Sequence, residues 1–397
     1  MRIHEEVRKM PFSPIRAWTQ RLHDLGPRAE LTLGEPVQST DPRIGEAAAA
    51  ALRQGLTHYP PAAGLKSLRE LLAEREQAQR GWQFRPEQIL ITDGAQEALA
   101  VCCLGLLNPG DEVLVTDPGY PGTLSALALA SATPVFFPLD AQGQPEFAAM
   151  ERAVSVKTRA IFVASPNNPT GQILSAATWT QLASLAEMLD LVLIVDAAYE
   201  QLSWKPLSFK ALRPWRHRVI FIGSFSKTYA MTGWRLGWIS APRRWGKALL
   251  KTHQALVSGV AGFVQQAACT ALTLPVDPWR QTVAKQSEYS WQRLNEIGLI
   301  CPQPEGGLYC FPSIVSTGLT SEQFALKLAE QAGVAVLPGT LFGQHGAGHV
   351  RLSVCTDWQT LDWALDQIEK WIKADGCRRG SETAAKADIR CLFQNGR

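Results

Sequence analysis

The segment Ser224-Phe-Ser-Lys227 holds side chains that could do chemistry, and Arg235 follows shortly after it. It comes just behind the apolar run Val219–Ile222, which is typical of a buried strand. Because open α/β sheets bind ligands at the carboxyl ends of their strands, Lys227 is expected at such an edge. A lysine there is either solvated or kept for its nucleophilic amine. The hydroxyls of Ser224 and Ser226 and the guanidinium of Arg235 suit phosphate oxygens. The spacing predicts a reactive amine beside a phosphate site.

A second apolar run supplies an acid. Asp196 follows the run Leu191–Val195 and precedes Tyr199 by three residues. A carboxylate at the end of a buried strand is unfavourable unless it meets a cation. A covalent lysine beside a phosphate site suggests pyridoxal 5'-phosphate, whose protonated ring nitrogen would be that cation. Tyr199, and Asn168 in an Asn-Pro-Thr-Gly sequence, are then expected to donate to the phenolic oxygen of the cofactor.

Alternating strands and helices must position these residues. Apolar runs without breaks indicate strands that are buried on both faces. These runs are Ile89–Thr92, Val113–Thr116, Ala160–Ala164, Leu191–Val195 and Val219–Ile222. Helical leucine spacing lies between them, for example from Leu65 to Leu72. This alternation predicts an α/β fold with a mostly parallel sheet.

The last third of the chain has a different pattern. Short strands are expected at 305–311, 334–338 and 349–353, between helices at 320–331 and 360–372. This pattern predicts a smaller α+β domain. The expected division is an N-terminal segment of the small domain (1–46), a large cofactor-binding domain (47–280), the small C-terminal domain (281–376) and a mobile tail (377–397).

Composition and charge exclude several kinds of partner and binding site. The 397 residues carry 39 Lys and Arg against 36 Asp and Glu. This near-neutral balance predicts no nucleic-acid partner. No run approaches the roughly 20 apolar residues that span a bilayer, so no membrane partner is expected. The N-terminus lacks the apolar stretch of a signal peptide, which favours a cytoplasmic location. The eight cysteines form no C-x-x-C pair, and no metal is expected.

The chain resembles the fold-type I pyridoxal-phosphate-dependent aminotransferases of class I/II, the aspartate aminotransferase family. Ser-x-Ser-Lys and Asn-Pro-Thr-Gly, in this order and on these strands, carry the resemblance, which extends from Leu33-Gly-Glu-Pro36 to Arg351-Leu-Ser353. It implies a large domain with a mostly parallel seven-stranded sheet flanked by helices, and a smaller α+β domain. It also implies a homodimer whose active sites are shared between subunits.

The resemblance implies further contacts to the cofactor. Gly94, Ala95 and Gln96 would bind the phosphate, and a helix start after a strand suits that role because its backbone N–H groups are free. Tyr120 would stack on the pyridine ring. Tyr59 would reach the phosphate of the neighbouring subunit. Simpler roles are also open, since Gln96 suits an early helix position and both tyrosines lie in proline-containing loops.

The resemblance also implies contacts to the substrate. Arg351 would bind the α-carboxylate through a bidentate ion pair. The backbone of Gly34 and the side chain of Asn168 would meet the same substrate. Alternatives remain open here too, because Arg351 could pair with a structural carboxylate and Asp196 could cap a helix.

The expected reaction is a ping-pong transamination by a Schiff-base mechanism, in which Lys227 also moves the α-proton of the substrate. An L-amino acid would be the donor and 2-oxoglutarate the expected acceptor. A lyase of the same fold, acting by β-elimination or cyclisation, is the alternative. A cofactor-binding regulator is disfavoured, since about thirty residues before Leu33 are too few for a DNA-binding module. Gln96 stands where some relatives for acidic substrates have lysine, which favours neutral or aromatic donors, and Arg16 is a weak candidate for a second cation.

Overall fold

The computed structural model describes residues 7–8, 10 and 12–374. The tail 377–397, for which mobility is predicted, lies outside the described residues. Within residues 12–374 the strands are β1 (Ala29–Glu30), β2 (Ile89–Thr92), β3 (Glu112–Asp117), β4 (Thr133–Pro138), β5 (Thr158–Ala164), β6 (Val192–Asp196), β7 (Val219–Ser224), β8 (Gly237–Ser240), β9 (Tyr309–Cys310), β10 (Val334–Ala335), β11 (Leu337–Pro338) and β12 (Val350–Ser353).

The helices of the same residues alternate with the strands in the first two thirds of the chain. They are α1 (Pro14–His23), α2 (Pro42–Arg53), α3 (Lys66–Arg80), α4 (Gly94–Leu106), α5 (Gly122–Leu129), α6 (Phe147–Ala153), α7 (Ala176–Met188), α8 (Arg243–Val257), α9 (Gly262–Thr273), α10 (Asp277–Glu296), α11 (Ser321–Ala332) and α12 (Trp358–Lys373). None of these described helices is both long and apolar enough to cross a membrane.

Strands β2 to β8 form one seven-stranded sheet in the order β2-β8-β7-β6-β5-β3-β4. Strand β8 runs antiparallel to β2 and β7, whereas the other neighbouring strands are parallel. The predicted α/β class with a mostly parallel sheet is therefore confirmed. Strands β4 and β8 are not predicted from the sequence. Strand β4 contains Pro134 and Pro138, which a strand accepts at the edge of a sheet.

Apolar layers cover both faces of this sheet. Along β6, Leu193 and Val195 share a buried cluster with Trp179 of α7. Their neighbours Val192 and Ile194 belong to a different cluster on the other face. Successive strand residues point to opposite faces, so a strand between two helical layers must be apolar throughout. This packing explains the unbroken apolar runs of the sequence.

The last third builds a smaller assembly of short strands and helices. Strands β11, β12 and β9 form an antiparallel sheet, and β1 from the N-terminal segment pairs with β10. Helix α11 begins at a capping box in which Thr320 and Gln323 bind each other's backbone N–H groups. Of the strand expected at 305–311, only Tyr309–Cys310 pairs in a ladder. The predicted domain boundaries at 46, 280 and 376 stay predictions.

Candidate active site

The polar residues singled out in the sequence gather at the carboxyl edge of the large sheet. Asp196 is the last residue of β6, and Lys227 follows the end of β7 by three residues. Asn168 follows β5, and Tyr120 follows β3. Because these four strands are neighbours and run parallel, their carboxyl ends bring the four side chains to one edge.

Lys227 is half-buried and has a defined partner. Its Nζ donates to the carbonyl oxygen of Gly34 across 2.6 Å. The backbone carbonyl of Lys227 accepts from Nε1 of Trp279 at 3.1 Å. The lysine therefore joins the large sheet to the segment that follows β1.

Asp196 is buried with 9% of its surface exposed. Its Oδ1 accepts from the backbone N–H of Ala198 at 2.9 Å. Burial raises the pKa of Asp196 to about 6, because the low-polarity surroundings disfavour the ionised form. None of the ion pairs among the described residues includes this carboxyl. Asp196 is thus a buried acid that would be stabilised by a cation.

The start of α4 meets Arg235 as a phosphate cradle would. Gly94 has φ +77°, and a Cβ there would lie 2.5 Å from Nη2 of Arg235. A Cβ on Gly237 would lie 2.9 Å from the backbone nitrogen of Ala95. A side chain at 94 would therefore displace the guanidinium, and a side chain at 237 would separate β8 from the helix start. Beside them, the hydroxyl of Ser224 accepts from the backbone N–H of Ser226 at 3.1 Å.

Tyr120 and Gln96 also meet. The Tyr120 hydroxyl donates to Oε1 of Gln96 at 3.4 Å, and Nε2 of Gln96 donates to the carbonyl of Gly122 at 3.0 Å. Burial raises the pKa of Tyr120, so its hydroxyl keeps its proton at neutral pH. The amide of Gln96 thus ties the first turn of α4 to the start of α5.

Arg351 of β12 is almost completely buried, with 1% of its surface exposed. Its Nη1 donates to Oδ1 of Asn168 at 3.0 Å, and its Nη2 donates to the carbonyl of Thr32 at 2.6 Å. The guanidinium carbon lies 4.0 Å from the ring centre of Tyr309 and 4.7 Å from that of Phe342. Its Nε is buried without a hydrogen-bond partner. The arginine is held in place while one donor stays unused.

The sequence does not single out three residues that contact Arg351, namely Tyr309, Phe342 and Thr32. The Tyr199 and Tyr309 hydroxyls lie 3.0 Å apart, and their rings meet edge to face. Burial raises the pKa of Tyr199 far above its usual range. A Cβ on Gly34 would overlap with the Tyr309 ring, so this glycine allows a close approach. In the sequence, Tyr309 is marked only as an aromatic residue that follows Glu-Gly-Gly-Leu in a short predicted strand. Such a residue is equally typical of the hydrophobic core.

A buried ion network supports the turn that holds Tyr199. Glu200 pairs with Nη2 of Arg80 at 2.6 Å and with Nη2 of Arg75 at 3.2 Å. Arg80 also lies 3.2 Å from a carboxylate oxygen of Glu76. The sequence gives little sign of this network, because charged residues on a helix are usually solvated.

Tyr59 lies away from this group. It is 94% exposed in a surface cleft, which it shares with His58, Pro60 and Gly259. Within the described chain no hydrogen bond joins it to the other candidates. Its predicted role, which depends on a second subunit, stays a prediction.

The chain is similar to known aminotransferases along most of its length. A family model described as aminotransferase class I and II matches residues 29–368. An aspartate aminotransferase of Pyrococcus horikoshii is 35% identical over 383 residues, covering 94% of this chain and 98% of that protein. Aromatic-amino-acid aminotransferase 2 of Thermococcus litoralis is 35% identical over 369 residues, covering 89% of this chain and 95% of that protein.

A solved structure shows the same fold. The aromatic aminotransferase of Pyrococcus horikoshii superimposes with a TM-score of 0.85 at 34% identity, covering 90% of this chain and all of that one. The family match extends over most of the chain, and the relatives match along nearly their whole length. The chain therefore belongs to the class I and II aminotransferases, a pyridoxal-phosphate-dependent family of enzymes that transfer amino groups.

Proposed function

We propose that this chain binds pyridoxal 5'-phosphate at the edge described above and transfers amino groups from an L-amino acid to 2-oxoglutarate in a ping-pong reaction. The observation that carries the proposal is the meeting of two cations on one segment. Lys227 contacts the carbonyl of Gly34, and Arg351 contacts the carbonyl of Thr32. Two residues span at most about 7 Å, so an amine and a carboxylate grip lie within reach of one amino acid.

The side chains fit this cofactor. Asp196 is a buried acid outside the ion pairs of the described chain, as a partner of a ring nitrogen must be before the ring binds. The close approach of Arg235 to Gly94 leaves a cationic helix start for a phosphate. Ser224 and Ser226 lie in the same loop, and Ala95 and Gln96 continue the first turn. When bound, the cofactor would supply an aldehyde that reacts with amines and a ring that accepts electrons from the substrate α-carbon.

Lys227 has two tasks in this proposal. Its Nζ would hold the cofactor covalently and, once released, would take the proton from the substrate α-carbon and pass it to the cofactor. Both tasks require Nζ to leave the carbonyl of Gly34. Asp196 would keep the ring nitrogen protonated, and the hydroxyl of Tyr199 would donate to the phenolic oxygen.

Arg351 and its neighbours orient the substrate. Its unused Nε, together with the guanidinium edge, is available to the α-carboxylate, and Asn168 fixes the direction of the guanidinium. Tyr120 would cover the ring of the cofactor. Because Arg351 is almost completely buried beside the rings of Tyr309 and Phe342, water has little access to the carboxylate contact, and the low-polarity surroundings strengthen it.

A panel of amino donors with 2-oxoglutarate tests the proposal. We expect glutamate to accumulate with at least one donor, and we expect Lys227→Ala to abolish multiple turnovers. Ammonia and pyruvate in place of glutamate would indicate the lyase alternative. We propose neutral or aromatic donors, since Gln96 supplies no charge and two aromatic rings flank Arg351. A panel in which only aspartate reacts would contradict that preference.

We also propose a homodimer with shared sites, in which Tyr59 of one subunit completes the site of the other. Light scattering should give twice the mass of the chain. A sharper test mixes two inactive variants, Lys227→Ala and Tyr59→Ala. Hybrid dimers would contain one intact site, so the mixture should regain activity if Tyr59 acts across the interface. A mixture without activity, or a fully active monomer, would refute the shared site. The cytoplasmic location stays a prediction.

A further inference from the structure

Two loops from different parts of the chain meet beside the proposed site. The first follows β3, which ends at Asp117, and leads to Tyr120. The second, at 339–346, lies between β11 and β12 and contains Phe342. Asp117 has no role in the proposed reaction, and the second loop enters it only through the ring of Phe342.

Asp117 binds the second loop through both of its carboxylate oxygens. Oδ2 accepts from the backbone N–H of Gln344 at 3.0 Å, and Oδ1 accepts from that of His345 at 3.1 Å. Nδ1 of His345 lies 3.1 Å from Oδ2. Asp117 is buried, with 2% of its surface exposed. A carboxylate that accepts several hydrogen bonds inside the protein holds its partners firmly.

The backbone reinforces this contact. The N–H of Gly119 donates to the carbonyl of Phe342 at 2.8 Å. Gly343 has φ +135°, and a Cβ there would overlap with the carboxylate of Asp117. Any side chain at 343 would therefore separate the loops. We call these contacts of Asp117 and Gly119 with residues 342–345 the Asp117 clamp.

The Asp117 clamp holds a ring that contacts Arg351. The Phe342 ring centre lies 4.7 Å from the guanidinium carbon, and the Tyr309 ring centre lies 4.0 Å from it. Because Nε of Arg351 has no partner, the direction of the guanidinium depends on two hydrogen bonds and on these rings. A shift of Phe342 would remove one of the few constraints on it.

We propose that Asp117 is a positioning residue for substrate binding, which links the loop of Tyr120 to the aromatic wall of the carboxylate grip. The inference rests on the proposed function, because it assumes that Arg351 binds the substrate carboxylate. Asp117 itself would touch no substrate. It acts through the backbone of residues 342–345 and through the ring of Phe342.

The substitution Asp117→Asn tests this role with little change in shape. The Asn side chain has only one oxygen. Its NH₂ group must therefore face at least one of the N–H groups that now donate to the carboxylate. Losing a charged hydrogen bond of this kind should raise KM about tenfold for both the amino donor and 2-oxoglutarate. The kcat should stay within about threefold, since the groups that move the proton are untouched. The absorption of the bound cofactor should also be unchanged.

Asp140→Asn is the matched control. Asp140 also accepts two backbone N–H groups, from Gln142 and Gln144, but these contacts stay within its own turn. Its KM and kcat should equal those of the unsubstituted enzyme. Phe342→Leu keeps an apolar side chain and removes the ring, so it should raise KM to a similar degree. The double variant with Asp117→Asn should be less than additive, because both changes disturb the same contact.

The results distinguish a failure of the proposed function from a failure of the proposed role of Asp117. If the unsubstituted enzyme transfers no amino group, the proposed function fails. If it is active and Asp117→Asn has the KM of Asp140→Asn, the proposed role of Asp117 is refuted. Additive effects of Asp117→Asn and Phe342→Leu would refute it as well. Should Asp117→Asn fail to fold, Phe342→Leu decides the question, since an unchanged KM there would rule out the aromatic wall.

Discussion

Nζ of Lys227 lies 2.6 Å from the carbonyl oxygen of Gly34, which ties the proposed reactive lysine to the segment after β1. Gly34 lies two residues from Thr32, which holds Arg351 by its own carbonyl. The two cations of the site are therefore fixed to one strip of backbone. Formation of the covalent link would release the first contact and leave the second in place.

The first prediction concerns this contact in the cofactor-free protein. Lys227→Met removes the donor but keeps the length of the side chain, so the segment 33–35 should open more readily. A hydrogen bond to a charged group contributes about 1.5–3 kcal/mol, and exchange of the neighbouring Leu31 amide, which donates to the carbonyl of Ala335, should become about tenfold faster or more. Hydrogen–deuterium exchange measures this. Lys247→Met, an exposed position on α8, is the control, and equal exchange in both variants would contradict the prediction.

The second prediction follows from the buried acid. Burial raises the pKa of Asp196 from 3.8 to about 6. The folded cofactor-free protein thus holds this proton more tightly than the unfolded chain does. The contribution of this proton to the free energy of unfolding is complete below pH 4 and is lost as the pH rises through 6. At 1.36 kcal/mol per pKa unit, the loss amounts to roughly 3 kcal/mol.

The substitution Asp196→Asn should remove this pH dependence. Relative to the unsubstituted protein, the cofactor-free variant should gain unfolding free energy between pH 4 and pH 7. Denaturant titrations at several pH values and a fixed protein concentration measure the difference. The same variant should bind pyridoxal phosphate weakly and lose most of its activity. A stability difference that stays constant with pH would show that Asp196 does not titrate in this range.

The third prediction tests the phosphate cradle. Gly94→Ala places a Cβ 2.5 Å from Nη2 of Arg235, so the guanidinium must move. We expect cofactor affinity to fall at least tenfold, or about 1.4 kcal/mol, because a charged contact to phosphate is displaced. Titration with pyridoxal phosphate, followed by absorbance, measures the affinity.

Gly26→Ala is the control for backbone strain. Gly26 also has a positive φ, +68°, but a Cβ there meets nothing within 4 Å. Both variants should lose about 1 kcal/mol of stability from the backbone conformation. Only Gly94→Ala should lose cofactor affinity, and equal affinities would contradict the proposed cradle.

The fourth prediction concerns the tyrosine pair. Tyr309→Phe leaves the buried hydroxyl of Tyr199 without its partner at 3.0 Å. An unsatisfied buried hydroxyl costs about 1–3 kcal/mol of stability, whereas removing both hydroxyls together is nearly neutral. The double variant Tyr199→Phe/Tyr309→Phe should therefore be more stable than Tyr309→Phe alone. Thermal unfolding of the two variants decides the point, and a double variant that is less stable would contradict it.

The sequence by itself determined the α/β class and the reaction family, and it singled out most residues of the proposed site. It could do so because strands buried on both faces are apolar throughout, and polar residues at their carboxyl ends stand out by contrast. Asp196 and Lys227 were recognisable for this reason. Strand β4 was not, because its prolines are acceptable only at the edge of a sheet, and the edge is a property of the assembled sheet.

Only the tertiary structure decided which residues far apart in the chain support one another. Tyr309 and Phe342 resemble core aromatics in the sequence, and their contact with Arg351 depends on how β9 and the loop 339–346 pack. Likewise, Glu76 and Arg80 have the spacing of a solvated helix pair, yet both are buried. A local sequence pattern indicates which face of a helix or strand is buried. It does not indicate which residues from distant parts of the chain pack against that face, because this depends on how the elements assemble.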